Sequence, residues 1–139
     1  MSQIKHILVA LDISGASKKG LDTAISLAKL SDAKITCVTV LVVYPTLVAT
    51  VINYKKFLTK KAEAMLDTTK KYCEKQEIQF ASKVLSGNPS SEITKFAQTQ
   101  NMDMIIIGSK GLGGIKGKVL GSVVNSVVHG SNISVLVVK

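Results

Sequence analysis

The chain has 139 residues and a net charge of +9, and all 18 of its basic residues are lysine. Its length fits one domain. Hydrophobic residues make up 46% of the chain and charged residues 19%, a composition that argues against disorder and favours strands buried on both faces. The absence of arginine and tryptophan, with only three Phe and three Tyr, argues against a specific reader of nucleic acid, although salt-sensitive association with polyanions stays open.

Strand-like and helix-like segments alternate along the chain. This alternation predicts a doubly wound α/β domain with a parallel sheet, spanning residues 1–139. The five predicted strands are Lys5 to Leu11, Lys34 to Val43, Ile78 to Leu85, Met104 to Ile107 and Ser134 to Val138.

Apolar residues at helical spacing mark the segments between the strands. The first predicted stripe is Leu21, Ala24, Ile25 and Ala28, and the second is Leu58, Ala62, Met65, Thr69 and Tyr72. The third helix is expected to start at Asn88-Pro89, a capping residue followed by proline, and to bury Ile93, Phe96 and Ala97.

An uncharged stretch runs from Ile35 to Ile52. Its threonines and the Tyr44-Pro45 break favour a buried strand that ends near Val43 over a membrane span. The apolar segment Thr46 to Ile52 is a hypothetical lid or partner contact. The amino end lacks a long apolar run, so we expect no signal peptide, no membrane partner and a cytoplasmic protein.

The most informative segment lies between Gly108 and Ser122 and reads GSKGLGGIKGKVLGS. It follows a predicted strand and precedes a helical pattern, so its glycines and the first N–H groups of the helix form a candidate phosphate cradle. A Walker loop is excluded, because Val119 follows Gly117-Lys118. A dinucleotide-binding loop is excluded as well, because Lys116 stands where the third glycine belongs and no acidic residue follows Asp103.

This spacing, G-x2-G-x9-G-S, resembles that of the ATP-binding members of the universal stress protein family. Gly108, Gly111, Gly121 and Ser122 match the motif without a gap. HILVALDIS, ITCVTV, GNPSSEITKFA, NMDMIIIGS and ISVLVVK also resemble family segments, so the similarity covers nearly the whole chain. The resemblance implies a Rossmann-like fold with strand order 3-2-1-4-5 and four flanking helices. It also implies an ATP site between the first and fourth strands.

Asp12 follows the first strand at this crevice and could accept hydrogen bonds from ribose or adenine, or could instead cap the next helix. By resemblance, Ala10, Leu11, Val40 and Ile107 border the nucleoside, with strand packing as the alternative for the apolar side chains. The phosphates are assigned to Gly108, Ser109, Lys110, Gly111, Gly121, Ser122, Val123 and Val124, with a solvated loop as the alternative. Many nucleotide-binding relatives carry Ser or Thr in place of Val124.

The sequence leaves three functions open. The first is an ATP-binding stress-response or signalling module, in which any Mg²⁺ or Mn²⁺ would be carried on the phosphates. The second is a slow ATPase, disfavoured because the loop offers only lysines and hydroxyls beside Asp12. The third is a dimeric interaction module without nucleotide, since the resemblance implies homodimers through Ile133 to Val138. Cys37 and Cys73 are expected in the core, and His6 and His129 belong to no predicted metal site.

Overall fold

The computed structural model describes residues 3–12, 18–42, 48–109 and 121–139. For residues 48–51 it describes the backbone but not the side chains. The strands are β1 (His6–Ala10), β2 (Lys34–Leu41), β3 (Phe80–Ser86), β4 (Met104–Gly108) and β5 (Ser134–Val138). The helices are α1 (Lys18–Ser31), α2 (Val48–Glu74), α3 (Pro89–Thr99) and α4 (Ser122–Gly130).

All strand pairs are parallel, and the sheet has the order β3-β2-β1-β4-β5. The expected doubly wound fold with four helices is therefore confirmed. β1 and β4 are neighbours, and their register places Ala10 opposite Ile107. The two strands thus end together at the edge of the sheet where such folds open a crevice.

Each face of the sheet has its own apolar core, because strand side chains alternate between the faces. On one face, Ile7, Val9, Ile35 and Cys37 pack with α1 and α2. On the other face the strand residues pack with α3 and α4, and their buried members include Leu8, Ala10, Val38, Ile105 and Ile107.

The helical stripes are largely as the sequence predicts. All four residues of the α1 stripe are buried, and so are Ile93 and Ala97 of α3, while Phe96 is partly buried. In α2 the most buried residues are Ala62, Leu66 and Cys73. The predicted stripe omitted Leu66 and Cys73, and it included Leu58, which is only half-buried.

Two strand boundaries differ from the prediction by two residues, whereas both ends of β1 and the last residues of β3 and β4 differ by one. β2 ends at Leu41, two residues before Val43, and residues 43–47 lie outside the described part of the chain. β3 starts at Phe80, two residues after Ile78, because the chain is still closing α2 there. Glu77 has a positive φ of 61° and the Ile78 N–H donates to the Cys73 carbonyl at 3.1 Å. Among the described helices, none is both long and apolar enough to cross a membrane.

Candidate functional site

The site is built at the carboxyl ends of β1 and β4. Leu11 directly follows β1, and its N–H donates to the Val38 carbonyl at 2.9 Å, so β2 fixes the direction in which the chain leaves the sheet. Asp12 comes next and is half-buried. A carboxylate in this position lies at the crevice and is still accessible to a ligand.

The neighbouring strand end is held in the same way. Gly108 pairs with Val138 of β5, and the Ser109 N–H donates to the Val138 carbonyl at 2.8 Å. Ser109 is buried. These contacts anchor the first residues of the predicted cradle to the sheet.

α4 starts next to this anchored strand end. The Gly121 N–H is directed at the Ser109 carbonyl, with 3.5 Å between nitrogen and oxygen, so the chain returns to Ser109 before the helix begins. Gly121 is the N-cap residue of α4, and no side chain caps the helix. The N–H groups of its first turn have no intrahelical acceptor and form the positive end of the helix dipole. This is the chemistry that suits an anion.

The rest of the predicted phosphate loop belongs to the part of the chain outside the described residues. Lys110 and Gly111 lie outside the described residues, as do Lys116 and Lys118. The alternative role of Asp12 as a helix cap involves residues 13–17, which are also outside them.

The core contains apolar residues assigned to the nucleoside and also Val124, which was assigned to the phosphates. Ala10, Ile107 and Val124 are at most 2% exposed, and Val40 is 8% exposed. All four belong to the cluster on the α3 and α4 face. Any contact of Val124 with a phosphate would therefore come from its backbone N–H, whereas Ser122 is exposed at the start of the same helix.

Three residues that support the site were given no role in the sequence analysis, although Gly87 opens the family-like segment GNPSSEITKFA. Gly20 of α1 lies against the end of β4: a Cβ added there would be 3.7 Å from the Gly108 nitrogen. Gly87 has a φ of 133° and donates its N–H to the Leu41 carbonyl at 3.0 Å. The sequence signal for both is a glycine close to a helix start, which is too common to be specific.

Asp103 is the third supporting residue and acts at the opposite end of the strands. Its Oδ2 atom accepts the N–H groups of Lys5 and His6 at 2.8 and 2.9 Å, and its own N–H donates to the His6 carbonyl. These bonds fix the register of β1 and β4 and thus the level at which both strands end. Among the described residues, no cluster of three or more His, Cys, Asp or Glu could hold a metal ion.

Comparison with known proteins agrees with this architecture. The family model described as "Universal stress protein family" matches residues 3–139. Universal stress protein YxiE of Bacillus subtilis is 30% identical over 144 residues, which cover 96% of this chain and 97% of that protein.

Two solved structures share the whole fold. That of MJ0577 has a TM-score of 0.89 and 28% identity, and the match covers 99% of this chain and 97% of that one. MJ0577 is a universal stress protein of Methanocaldococcus jannaschii. A universal stress protein in complex with cAMP has a TM-score of 0.76 and 25% identity, with 99% of each chain covered. The present chain belongs to the universal stress protein family.

Proposed function

We propose that the chain is an adenine-nucleotide-binding module of a stress response or signalling system, with ATP as its ligand in the crevice between β1 and β4. The observation that carries the proposal is the meeting of two features at one edge of the sheet. Asp12 follows β1, and the uncapped start of α4 is joined to the end of β4 by the contact between Gly121 and Ser109. The related structure solved with cAMP supports an adenine nucleotide as the ligand.

The roles follow from the chemistry of each group. The Asp12 carboxylate would accept hydrogen bonds from the ribose hydroxyls or the adenine amino group. Ala10, Leu11, Val40 and Ile107 would border the nucleoside at the strand ends. The phosphates would lie at the first turn of α4 and along the loop, where Ser122, Val123 and Val124 offer backbone N–H groups and Lys110 adds positive charge. Mg²⁺ or Mn²⁺ would arrive on the phosphates.

Ser122→Asp tests the phosphate position without harming the fold. Ser122 is exposed, and an acidic residue in the first turn stabilises a helix by about 0.3–1 kcal/mol. The same carboxylate would repel a phosphate, so we expect ATP to bind about 10- to 100-fold more weakly in a calorimetric titration.

The matched control is Ser91→Asp, which puts the same charge on an exposed residue in the first turn of α3. It should leave ATP affinity within about twofold, because Ser91 lies on α3 and not at the crevice between β1 and β4, and salt screens charges on the surface. Equal affinities for ATP in the wild type and in Ser122→Asp would contradict the proposed phosphate position.

Binding without efficient hydrolysis is the proposed activity. Besides Asp12, the described part of the site holds the hydroxyl groups of Ser109 and Ser122 and no other candidate base. Phosphate release well above background that depends on Asp12 or Lys110 would instead identify a slow ATPase.

A homodimer is the second part of the proposal, and the position of β5 supports it. β5 is an edge strand that pairs with β4 alone among the described strands, and an open apolar edge invites pairing with another chain. Light scattering is expected to give twice the monomer mass at micromolar concentration. A monomer mass there would reject pairing through Ile133 to Val138.

A further inference from the structure

β3 is the edge strand opposite β5, and it pairs with β2 alone among the described strands. In a parallel pair, alternate residues direct their N–H and C=O groups at the neighbouring strand, and the residues between them direct theirs away. The Gln79 carbonyl accepts the Ile35 N–H at 2.9 Å, and the Gly87 N–H donates to the Leu41 carbonyl at 3.0 Å. The odd-numbered residues of this segment therefore bond to β2.

The even-numbered residues of β3 direct their backbone groups away from the sheet. They are Phe80, Ser82, Val84 and Ser86. No backbone hydrogen bond joins their N–H or C=O groups to a described residue beyond β2. Donors and acceptors that repeat about every 6.6 Å along a strand are the pattern that another β-strand satisfies.

A cavity of about 650 Å³ lies between α2 and this edge, and we call it the β3 groove. Its α2 wall includes residues that recur every fourth position and so form one row, Lys55, Thr59, Glu63 and Asp67. Its other wall is formed by four of the last five residues of β3, Ser82, Lys83, Val84 and Ser86. A strand added at this edge would lie alongside α2 and direct every second side chain into the groove.

The β3 groove has a lysine near each end. The helix of a β-α-β unit runs antiparallel to its strands, so Lys55 lies toward the carboxyl end of β3 and Lys70 toward its amino end. Both side chains are exposed. They are 15 positions apart on the helix, or about 22 Å, and six residues of extended strand span about 20 Å. Two acidic side chains six positions apart on an added strand would share a face and reach one lysine each.

The charges between these two lysines balance. Asp67 forms an ion pair with Lys71 at 3.3 Å. Glu63 on the helix wall is matched in number by Lys83 on the strand wall. The two end lysines are therefore the excess charge of the β3 groove, and an acidic partner strand is attracted to it.

We propose that the edge of β3 binds an extended peptide segment of a partner protein that has acidic residues at positions i and i+6. The segment would extend the sheet by one strand, pairing with the outward N–H and C=O groups of β3. Its two carboxylates would contact Lys55 and Lys70. In such strand addition the main-chain bonds supply affinity and the alternate side chains supply specificity.

A second copy of the chain fits this edge less well than an acidic peptide does. α2 carries six lysines against three acidic residues. Antiparallel pairing of two β3 strands about a twofold axis would place both α2 helices on one face of the joined sheet, where these charges repel. β3 and β5 are opposite edges, so a dimer formed through β5 leaves the β3 groove accessible.

The first test is fluorescence anisotropy of the nucleotide-free full chain with a labelled peptide that contains the sequence Glu-Thr-Val-Thr-Val-Thr-Glu. We expect saturable micromolar binding that weakens as salt is raised. A peptide with lysine in place of both glutamates should bind at least about tenfold more weakly, since it replaces two ion pairs by repulsion. Absence of binding of the acidic peptide at up to about 1 mM protein would overturn the proposal.

Ser82→Pro tests the backbone pairing. The Ser82 N–H is directed away from β2, so proline removes a donor that the added strand needs while the bonds to β2 are retained. We expect the acidic peptide to bind about tenfold more weakly. The matched control, Ser82→Ala, retains the N–H group and should bind within about twofold of the wild type. Equal affinities of the two variants would contradict strand addition.

Charge reversal provides a test that does not depend on the folding of the proline variant. Lys55→Glu with Lys70→Glu should lose the acidic peptide by at least about tenfold and bind the lysine peptide more tightly than the wild type does. The control reverses two exposed lysines of other helices, Lys19→Glu with Lys95→Glu, and should change affinity by less than about threefold. Equal losses in both double variants would reject the proposal, because net charge alone would then explain binding.

Self-association is the competing use of the edge. If the wild type formed assemblies larger than a dimer and Ser82→Pro abolished them, the edge would belong to a second copy of the chain, and the proposal would be wrong. Sedimentation velocity measures this, and we expect the same assembly state in both proteins. No nucleotide is present in any of these experiments, so their results do not depend on the ATP site.

Discussion

Most of the individual residues that support the candidate site act by fixing where the strands β1 and β4 end. Asp103 sets the register of β1 and β4 through two N–H bonds, and Gly20 allows α1 to approach Gly108. Asp12 is the exception, because it lies at the crevice itself and is half-buried. A site of this kind depends on correctly positioned backbone N–H groups more than on reactive side chains.

The two cysteines provide a test at the residue scale. Burial raises the pKa of both thiols, to about 11 for Cys73 and well above its usual range for Cys37. At pH 8 only about one Cys73 in a thousand would be ionised, so iodoacetamide should leave both thiols of the folded protein unmodified and modify both in urea. Rapid modification of either thiol in the folded chain would contradict their place in the core.

The raised pKa values of the two thiols also predict how the stability of the fold changes with pH. A raised pKa means that the folded state holds the thiol proton more tightly than the unfolded state, whose thiols ionise near pH 8.5. The contribution to stability is complete below that pH and is lost as the pH rises through about 11. The urea midpoint should therefore fall less over this range in Cys73→Ala than in the wild type.

At the scale of elements, the starts of α3 and α4 lie where the sequence predicts them. Asn88 caps α3 as expected, with its Oδ1 atom accepting the Ser91 N–H at 3.1 Å and Pro89 in the first helical position. Asn88→Ala should destabilise the protein by about 1 kcal/mol in urea unfolding. Asn88→Asp, which retains the acceptor, should remain near the wild type, and equal stability of all three proteins would show that the cap contributes nothing.

Strand ends and the longest helix were predicted less well, for physical reasons. Apolar residues continue past the hydrogen-bonded part of β2, so periodicity alone cannot locate its end at Leu41. The predicted second stripe followed an i, i+4, i+7, i+11, i+14 pattern that ends at Tyr72. In the structure Cys73 faces the core, and Tyr72 donates its hydroxyl proton to Asp22 at 2.8 Å.

At the scale of the whole molecule, the fold was predictable from the sequence, whereas the contacts that support the candidate site were not. Alternating strands and helices predicted the α/β class, and the resemblance supplied the strand order that brings Asp12 and Gly121 to one edge. The N–H bonds of Asp103 and the approach of Gly20 to Gly108 join residues far apart in the chain, so no local pattern shows them.

Two surfaces of the molecule have separate roles in the proposed function. The crevice between β1 and β4 would bind nucleotide, and the β5 edge would pair two chains. The first is central, because it gives the module its ligand.

The measurement that tests this claim most directly is a calorimetric titration of the ligand-stripped wild-type chain with ATP and Mg²⁺, beside Asp12→Ala. The account predicts saturable micromolar binding of one nucleotide per chain and a loss of at least about tenfold in the variant, since hydrogen bonds to a charged group contribute about 1.5–3 kcal/mol. Absence of ATP binding by the well-folded wild type would contradict the account.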